Sequence, residues 1–288
     1  MAKLGIIGGT GLYELPQFIE NQDQTVETPF GFPSSPLRCG TVEGIEVIFL
    51  ARHGVNHTFL PEEINFRANI YALKMLEVTH IISLSAVGSL QEHIHPGEIV
   101  VIDQFFDRTR KQRKDSFFGE GLVAHISFAD PVCQWLWGVI VSSARRAGAT
   151  VHEGGTYVNM EGPAFSTRAE SLFYKNQLQA SVIGMTNVTE AKLAREAEMC
   201  YATLAMVTDY DSWRMEEEGV SAHDIITTLK QNAQQALKII SDILTGFSPP
   251  SDCPCRHALA SALITPLDTA APAEVSKLQA ILKPYLPG

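Results

Sequence analysis

The chain has 288 residues, 45% of them hydrophobic and 19% charged, which suits one large α/β domain or two smaller ones around a sizeable core. A formal charge of −10 excludes nucleic acid as a partner, because that affinity comes largely from Lys and Arg on phosphates. No apolar run approaches the roughly 18 residues of a bilayer span, and the N-terminus enters a strand pattern directly, so a cytoplasmic protein without a membrane partner is expected.

The first strand pattern, Leu4–Ile7, runs into Gly8-Gly9-Thr10-Gly11. Glycines let backbone N–H groups converge on an anion and the Thr10 hydroxyl adds a donor, although the same residues suit a tight turn. The spacing is not G-x-G-x-x-G and no acid ends a second strand, which disfavours a nicotinamide-dependent oxidoreductase. The second strand, Glu46–Ala51, ends in Arg52-His53-Gly54, where a guanidinium can hold a phosphate bidentately and the imidazole can add a bond. After a helix at Glu63–Leu76, the strand His80–Ser85 ends in Ser85-Ala86-Val87-Gly88-Ser89, small residues that let backbone approach a ligand. These strand ends together imply one anion pocket.

His93-Ile-His95 lacks a carboxylate or Cys set and reads as a polar loop rather than a metal site. The strand Glu98–Asp103 leads to the basic run Arg108–Lys114, which reads as a solvated loop, and a helix follows at Cys133–Ala147. The strand Thr156–Met160 enters Glu161-Gly162-Pro163-Ala164-Phe165-Ser166, where Phe165 either stacks on a planar ring or fills core. Thr167-x-x-Glu170 has the form of a capping box for a helix to Tyr174. The strand Ser181–Met185 and a helix at Thr189–Ala197 precede the most informative segment.

That segment is the strand Tyr201–Val207 followed by Thr208-Asp209-Tyr210-Asp211-Ser212-Trp213. Two carboxylates at a strand's carboxyl end stand where α/β proteins bind ligands, and a carboxyl held among aromatics can act as a proton donor. The next helix, Ala222–Leu244, has one apolar stripe, a Ser221 cap, and Gly246, Pro249 and Pro250 at its end. Five cysteines in a long chain do not form a secreted disulfide framework. Cys253-Pro-Cys255 suits a disulfide or inert thiols; two thiolates are not a zinc site, and His257 alone does not complete one, so no metal is expected.

In order, GIIGGTGL (5–12), LARHG (50–54), NFRANIYALK (65–74), PGEIVVIDQFFDRT (96–109), EGPAFSTRAES (161–171), MTNVTEAKLAREA (185–197) and TDYDSW (208–213) resemble the 5′-methylthioadenosine phosphorylases of the purine nucleoside phosphorylase superfamily, over residues 3–246. The resemblance implies a single α/β domain with a mixed, partly barrel-like sheet flanked by helices over residues 1–248. Residues 249–288 would be a C-terminal extension packed on that domain or on a neighbouring subunit. It implies a homotrimer, with a hexamer as the alternative, and no metal or organic cofactor. The implied reaction cleaves 5′-methylthioadenosine with inorganic phosphate, giving adenine and 5-methylthioribose 1-phosphate.

By the same resemblance phosphate falls to Thr10, Arg52, His53, Ser85, Ala86 and Thr186. Met185 would lie against the ribose, Phe165 beside the base and Ser166 near its pyrimidine edge. Asp209 would protonate N7 while Asp211 accepts from the 6-amino group. Ala222 and Ile225 would line the methylthio pocket, and His125 would cross a subunit interface. Ser85, Ala164 and Gly184 depart from common family residues and leave selectivity for the methylthio group open. An adenosine or methylthioinosine phosphorylase is the nearest alternative, and a non-catalytic nucleotide-binding protein a more distant one. The resemblance also links Cys253 and Cys255 to disulfide bonding, with Cys133 or Cys200 as further partners.

Overall fold

The computed structural model describes residues 2–9, 19–110, 113–214 and 222–286, with the side chains of residues 19–21 and 222–226 outside that description. Its strands are β1 (Leu4–Gly8), β2 (Ile19–Gln24), β3 (Leu37–Val42), β4 (Ile45–Ala51), β5 (His80–Ser89), β6 (Ile99–Val101), β7 (Gln104–Asp107), β8 (Val151–Glu153), β9 (Thr156–Asn159), β10 (Val182–Gly184) and β11 (Cys200–Tyr210). Those read from apolar runs are covered on both faces, which is why they show no polar alternation. β2 and β3 lack such runs and escape that reading. They form around a β3–β4 hairpin whose Glu43 and Gly44 both take positive φ, a two-residue turn that matches strand twist.

The sheet branches at β5. That strand pairs in parallel with β1 and with β11, and antiparallel with β10 at Gly88 and Ser89. One arm continues through β9 to β7, and the other runs from β11 through β6 to β8. Among the described residues the result is one mixed sheet of 11 strands flanked by helices.

The helices are α1 (Phe66–Met75), α2 (Gln134–Arg146), α3 (Arg168–Asn176), α4 (Asn187–Glu196) and α5 (Ala222–Thr245), followed by the short helices α6 (Pro272–Lys277) and α7 (Gln279–Leu282) and single turns of 3-10 helix. The Thr167–Glu170 capping box at α3 is present as expected. Ala236, Ile240, Ile243 and Leu244 of α5 are buried in the core shared with α2 and β11, and Asn232 Nδ2 donates to Val207 O at 2.9 Å. On the opposite face, α1 and α4 pack with Leu259, Ala262, Leu278, Ile281 and Leu282 from the chain beyond α5. Tyr71 Oη of α1 donates to Lys277 O there at 2.8 Å. No described helix is long and apolar enough to cross a membrane.

Candidate active site

β5 and β11 are both longer than their apolar runs, so Ala86 and Asp209 lie within strands rather than beyond them. Their carboxyl ends form a wall of a cavity of about 450 Å³. Register slips there: Val207 faces Val87, Asp209 faces Gly88, and Thr208 is the extra residue of a bulge. Side chains two apart on an extended chain share a face, so Asp209 and Asp211 both reach the cavity. A Cβ on Gly88 would lie 3.4 Å from Asp211 Cβ and 3.3 Å from Ile183 Cγ2, so a bare backbone lets the acid seat.

Burial raises the Asp209 carboxyl above the usual range, and the charge of Asp211 adds to it against an opposing hydrogen bond from Thr208. Thr208 Oγ1 lies 2.5 Å from Asp209 Oδ1 and 3.2 Å from Val87 O. One hydroxyl hydrogen serves one of these acceptors. Both contacts are satisfied when Asp209 carries a proton, donates to Thr208, and Thr208 donates on to Val87. Asp211 is 6% exposed, and its Oδ2 has no hydrogen-bond partner among the described residues. A buried acceptor in that state costs about 1–3 kcal/mol until a donor reaches it.

Behind the cavity lies a buried polar network. Arg52, at the end of β4, donates from Nε to Glu190 Oε1 (2.5 Å), from Nη2 to Ser83 Oγ (2.6 Å) and Glu190 Oε2 (3.2 Å), and from Nη1 to Leu84 O (2.9 Å). Burial is the largest influence and lowers its pKa, but the charge and hydrogen bonds of Glu190, with smaller contributions from Tyr201 and Tyr157, together outweigh it and the pKa is raised. These four bonds leave one of the five guanidinium N–H groups. Asn187 Nδ2 donates to Ser83 Oγ at 2.9 Å, while its Oδ1 accepts from Tyr157 Oη (3.2 Å) and Thr186 Oγ1 (3.3 Å). Ser85 Oγ lies 3.1 Å from Tyr157 Oη. Arg52, Ser85 and Thr186, read separately as anion ligands, thus belong to one continuous network. His53 Nδ1 donates to Phe59 O at 2.9 Å and its ring stacks on His57, with centroids 4.3 Å apart. Burial and then the Arg52 charge push its pKa down to about 4.

A sequence model described as the phosphorylase superfamily matches residues 3–245. The chain belongs to that family. The S-methyl-5′-thioadenosine phosphorylase of Geobacter sulfurreducens is 52% identical, covering 98% of this chain and 99% of that one. That of Koribacter versatilis is 50% identical, covering 99% and 97%. A solved methylthioadenosine phosphorylase from an Antarctic soil metagenomic library has a TM-score of 0.92 at 44% identity, covering 99% of both chains. A methylthioadenosine phosphorylase from Schistosoma mansoni in complex with adenine has a TM-score of 0.86 at 34% identity, covering 92% of this chain and 99% of that one.

In this phosphorylase-superfamily chain Ala86, Phe165, Met185, Asp209 and Asp211 line one cavity. Phe165 is 78% exposed, so it is not a core aromatic. Ser166 borders an adjoining hollow beside Phe165 and Glu170, tied to the cavity rim by Ser212 Oγ donating to its carbonyl at 2.8 Å. His125 stands apart, exposed in a groove with Phe118 and Lys192. Thr10 and the side chains of Ala222 and Ile225 fall outside the described residues, as does the Ser221 cap. Trp213 does not border the cavity. Its Nε1 donates to Ser89 O at 2.8 Å and Lys175 Nζ sits 3.4 Å from its ring centre, so Tyr210 is the aromatic beside the acids.

The residue-type reading missed Glu190, Asn187, Tyr157 and Arg113, which hold the site from behind. Arg113 corrects the solvated-loop expectation. It is 6% exposed, donates to Met185 O and Glu161 O, and pairs with the Glu161 carboxylate at 2.8 Å. The departure at Gly184 also gains a reason: a Cβ there would lie 1.9 Å from Tyr157 Oη. For Glu190 the available signal was an acid one helical turn beyond Thr186, in a helix that buries most of its residues.

Proposed function

We infer that this cavity binds 5′-methylthioadenosine beside inorganic phosphate and cleaves the bond between C1′ and N9. The enzyme is a pentosyltransferase whose products are adenine and 5-methylthioribose 1-phosphate. One observation carries the reading: a carboxyl raised by burial and a carboxylate oxygen lacking a donor stand two residues apart on one cavity wall.

A phosphate oxygen attacks C1′ as the C1′–N9 bond breaks, and the electrons of that bond enter the purine. Neutral Asp209 gives its proton to N7, which makes adenine a better leaving group. The hydrogen of the attacking phosphate monoanion or dianion replaces the proton Asp209 gives up, so the overall reaction balances in protons. Asp211 Oδ2 accepts from the 6-amino group, whereas a 6-oxo purine would set its own lone pairs against the carboxylate. Phosphate draws on the hydroxyls of Ser85, Thr186 and Thr10, the remaining Arg52 N–H, His53 and the backbone at Ala86. Its charge stabilises the cationic sugar of the transition state. Met185 supports the ribose, Phe165 covers the base and Ser166 lies at its pyrimidine edge.

Neither metal nor organic cofactor is needed, because phosphate is the nucleophile and Asp209 the acid. We further assign a cytoplasmic homotrimer, in which the exposed His125, remote from its own cavity, reaches a neighbouring site. Ala222 and Ile225 complete the methylthio pocket. The test is adenine release from methylthioadenosine with and without inorganic phosphate, run alongside adenosine and methylthioinosine. Phosphate-dependent release from methylthioadenosine is expected. Turnover of methylthioinosine alone would overturn the role of Asp211, and no turnover of any nucleoside would favour a binding protein.

A further inference from the structure

Cys253 and Cys255 do acquire partners once the chain folds. Their Sγ atoms and those of Cys133 and Cys200 all lie within 4.8 Å of one another, and all four residues are buried. Cys253 Sγ is 3.5 Å from Cys200 Sγ and 3.8 Å from Cys133 Sγ. Four thiolates at about 2.3 Å from a tetrahedral zinc ion stand about 3.8 Å from one another, whereas a disulfide requires about 2.05 Å. The two contacts of Cys253 therefore have the edge length of a tetrathiolate and not that of a bonded pair.

The placement favours metal as well. Cys133 is the N-cap of α2, where the helix dipole favours a thiolate. Cys200 opens β11, and Cys253 and Cys255 flank Pro254 in a one-turn helix. Three separate segments thus converge four sulfur atoms on one point. His257 is outside this set and pairs with Asp252 at 2.8 Å. Asp209 lies nine positions along β11 from Cys200, about 30 Å of extended chain, so the quartet lies far from the cavity.

We propose that Cys133, Cys200, Cys253 and Cys255 form a structural tetrathiolate site for a divalent soft cation, Zn²⁺ by preference. On binding, the four thiols release their protons and the ion forms four metal–sulfur bonds, with no redox change. The site staples the chain beyond α5 to the start of α2 and the first residue of β11. Such a staple raises stability without entering the reaction.

The test uses untagged full-length protein, isolated under reducing, anaerobic conditions. Elemental analysis is expected to give one zinc per chain, and X-ray absorption only sulfur neighbours at about 2.3 Å. Cobalt exchanged into the protein would show tetrahedral ligand-field bands with thiolate charge transfer. Cys255→Ser should lose the metal and lower Tm while kcat/KM of the folded fraction is unchanged; Cys39→Ser, outside the quartet, should keep it. If Cys255→Ser does not fold, zinc content and cobalt spectra of the unsubstituted chain still decide. Protein that is metal-free as isolated and takes up neither zinc nor cobalt when reduced overturns the proposal. So does an intact mass showing the quartet as two disulfides.

Discussion

Arg52 and Glu190, 138 positions apart, are locked side by side in the interior, the guanidinium engaging both carboxylate oxygens at 2.5 and 3.2 Å. Neither side chain is more than 4% exposed. Together with the bonds to Ser83 and Leu84, the pair leaves Arg52 a fixed orientation and, among the described residues, one N–H for a ligand. Removing one member of a buried pair leaves an uncompensated charge, at about 3–5 kcal/mol. Glu190→Ala should therefore lower denaturant-measured stability by about that amount, and Glu190→Gln by less. In Glu190→Gln, KM for phosphate should rise more than KM for nucleoside. Equal rises in both would separate Glu190 from phosphate.

Asp209→Asn should reduce kcat/KM by about 10²–10⁴-fold, the usual worth of a general acid. The pH profile carries a sign. Asp209 works protonated and its pKa is raised by burial, so the kcat/KM of the unsubstituted enzyme should fall as pH rises through that raised value. The substituted enzyme should lack that limb. A limb that survives in Asp209→Asn would assign the acid elsewhere.

Asp211→Asn offers the orphaned position both a donor and an acceptor. The kcat/KM ratio of methylthioadenosine to methylthioinosine should fall by about 10²-fold or more, because a matched buried hydrogen bond discriminates strongly between substrates. Competition assays on the two nucleosides read that ratio directly, and an unchanged ratio would remove Asp211 from base recognition.

Gly184→Ala drives a methyl into the Tyr157 hydroxyl, 1.9 Å away, and overpacking of this kind costs about 1–3 kcal/mol. Because Tyr157 links Ser85 to Asn187, the loss should couple to phosphate binding. Tyr157→Leu should restore part of the stability in the double variant but not the phosphate affinity, a non-additivity that a double-mutant cycle measures.

Two histidines, His80 buried and His53 half-buried, set an acid limit. His53 and His80 are each lowered from 6.5 to about 4, chiefly by burial, so the unfolded chain binds more protons between those values. Their contribution is present above pH 6.5 and lost as pH falls towards 4. Glu196 acts in the opposite sense. Burial raises it from 4.5 to about 7, so its contribution is lost as pH rises between those values. Together these three groups favour greatest stability at about pH 7. Replacing His80 with Phe should flatten the acid limb of Tm against pH, and an unaltered limb would dismiss His80 as its source.

Much of this protein was legible before folding. Short apolar runs mark seven of the strands, several of them nearly continuous because a strand covered on both faces favours apolar residues. The spacing of two residues between Asp209 and Asp211 already sets both acids on one face of an extended chain. What only the tertiary structure decides is which distant groups meet. The bulge at Thr208 depends on pairing with β5, and the Arg52–Glu190 lock depends on α4 packing behind β4 and β5. Arg113 looks solvated in its basic run yet is buried against Glu161. Four cysteines from three segments become one cluster only when α2, β11 and the chain after α5 close together. Local sequence fixes periodicity through backbone geometry, whereas contacts across a hundred residues follow from strand order and helix packing, which no local spacing encodes.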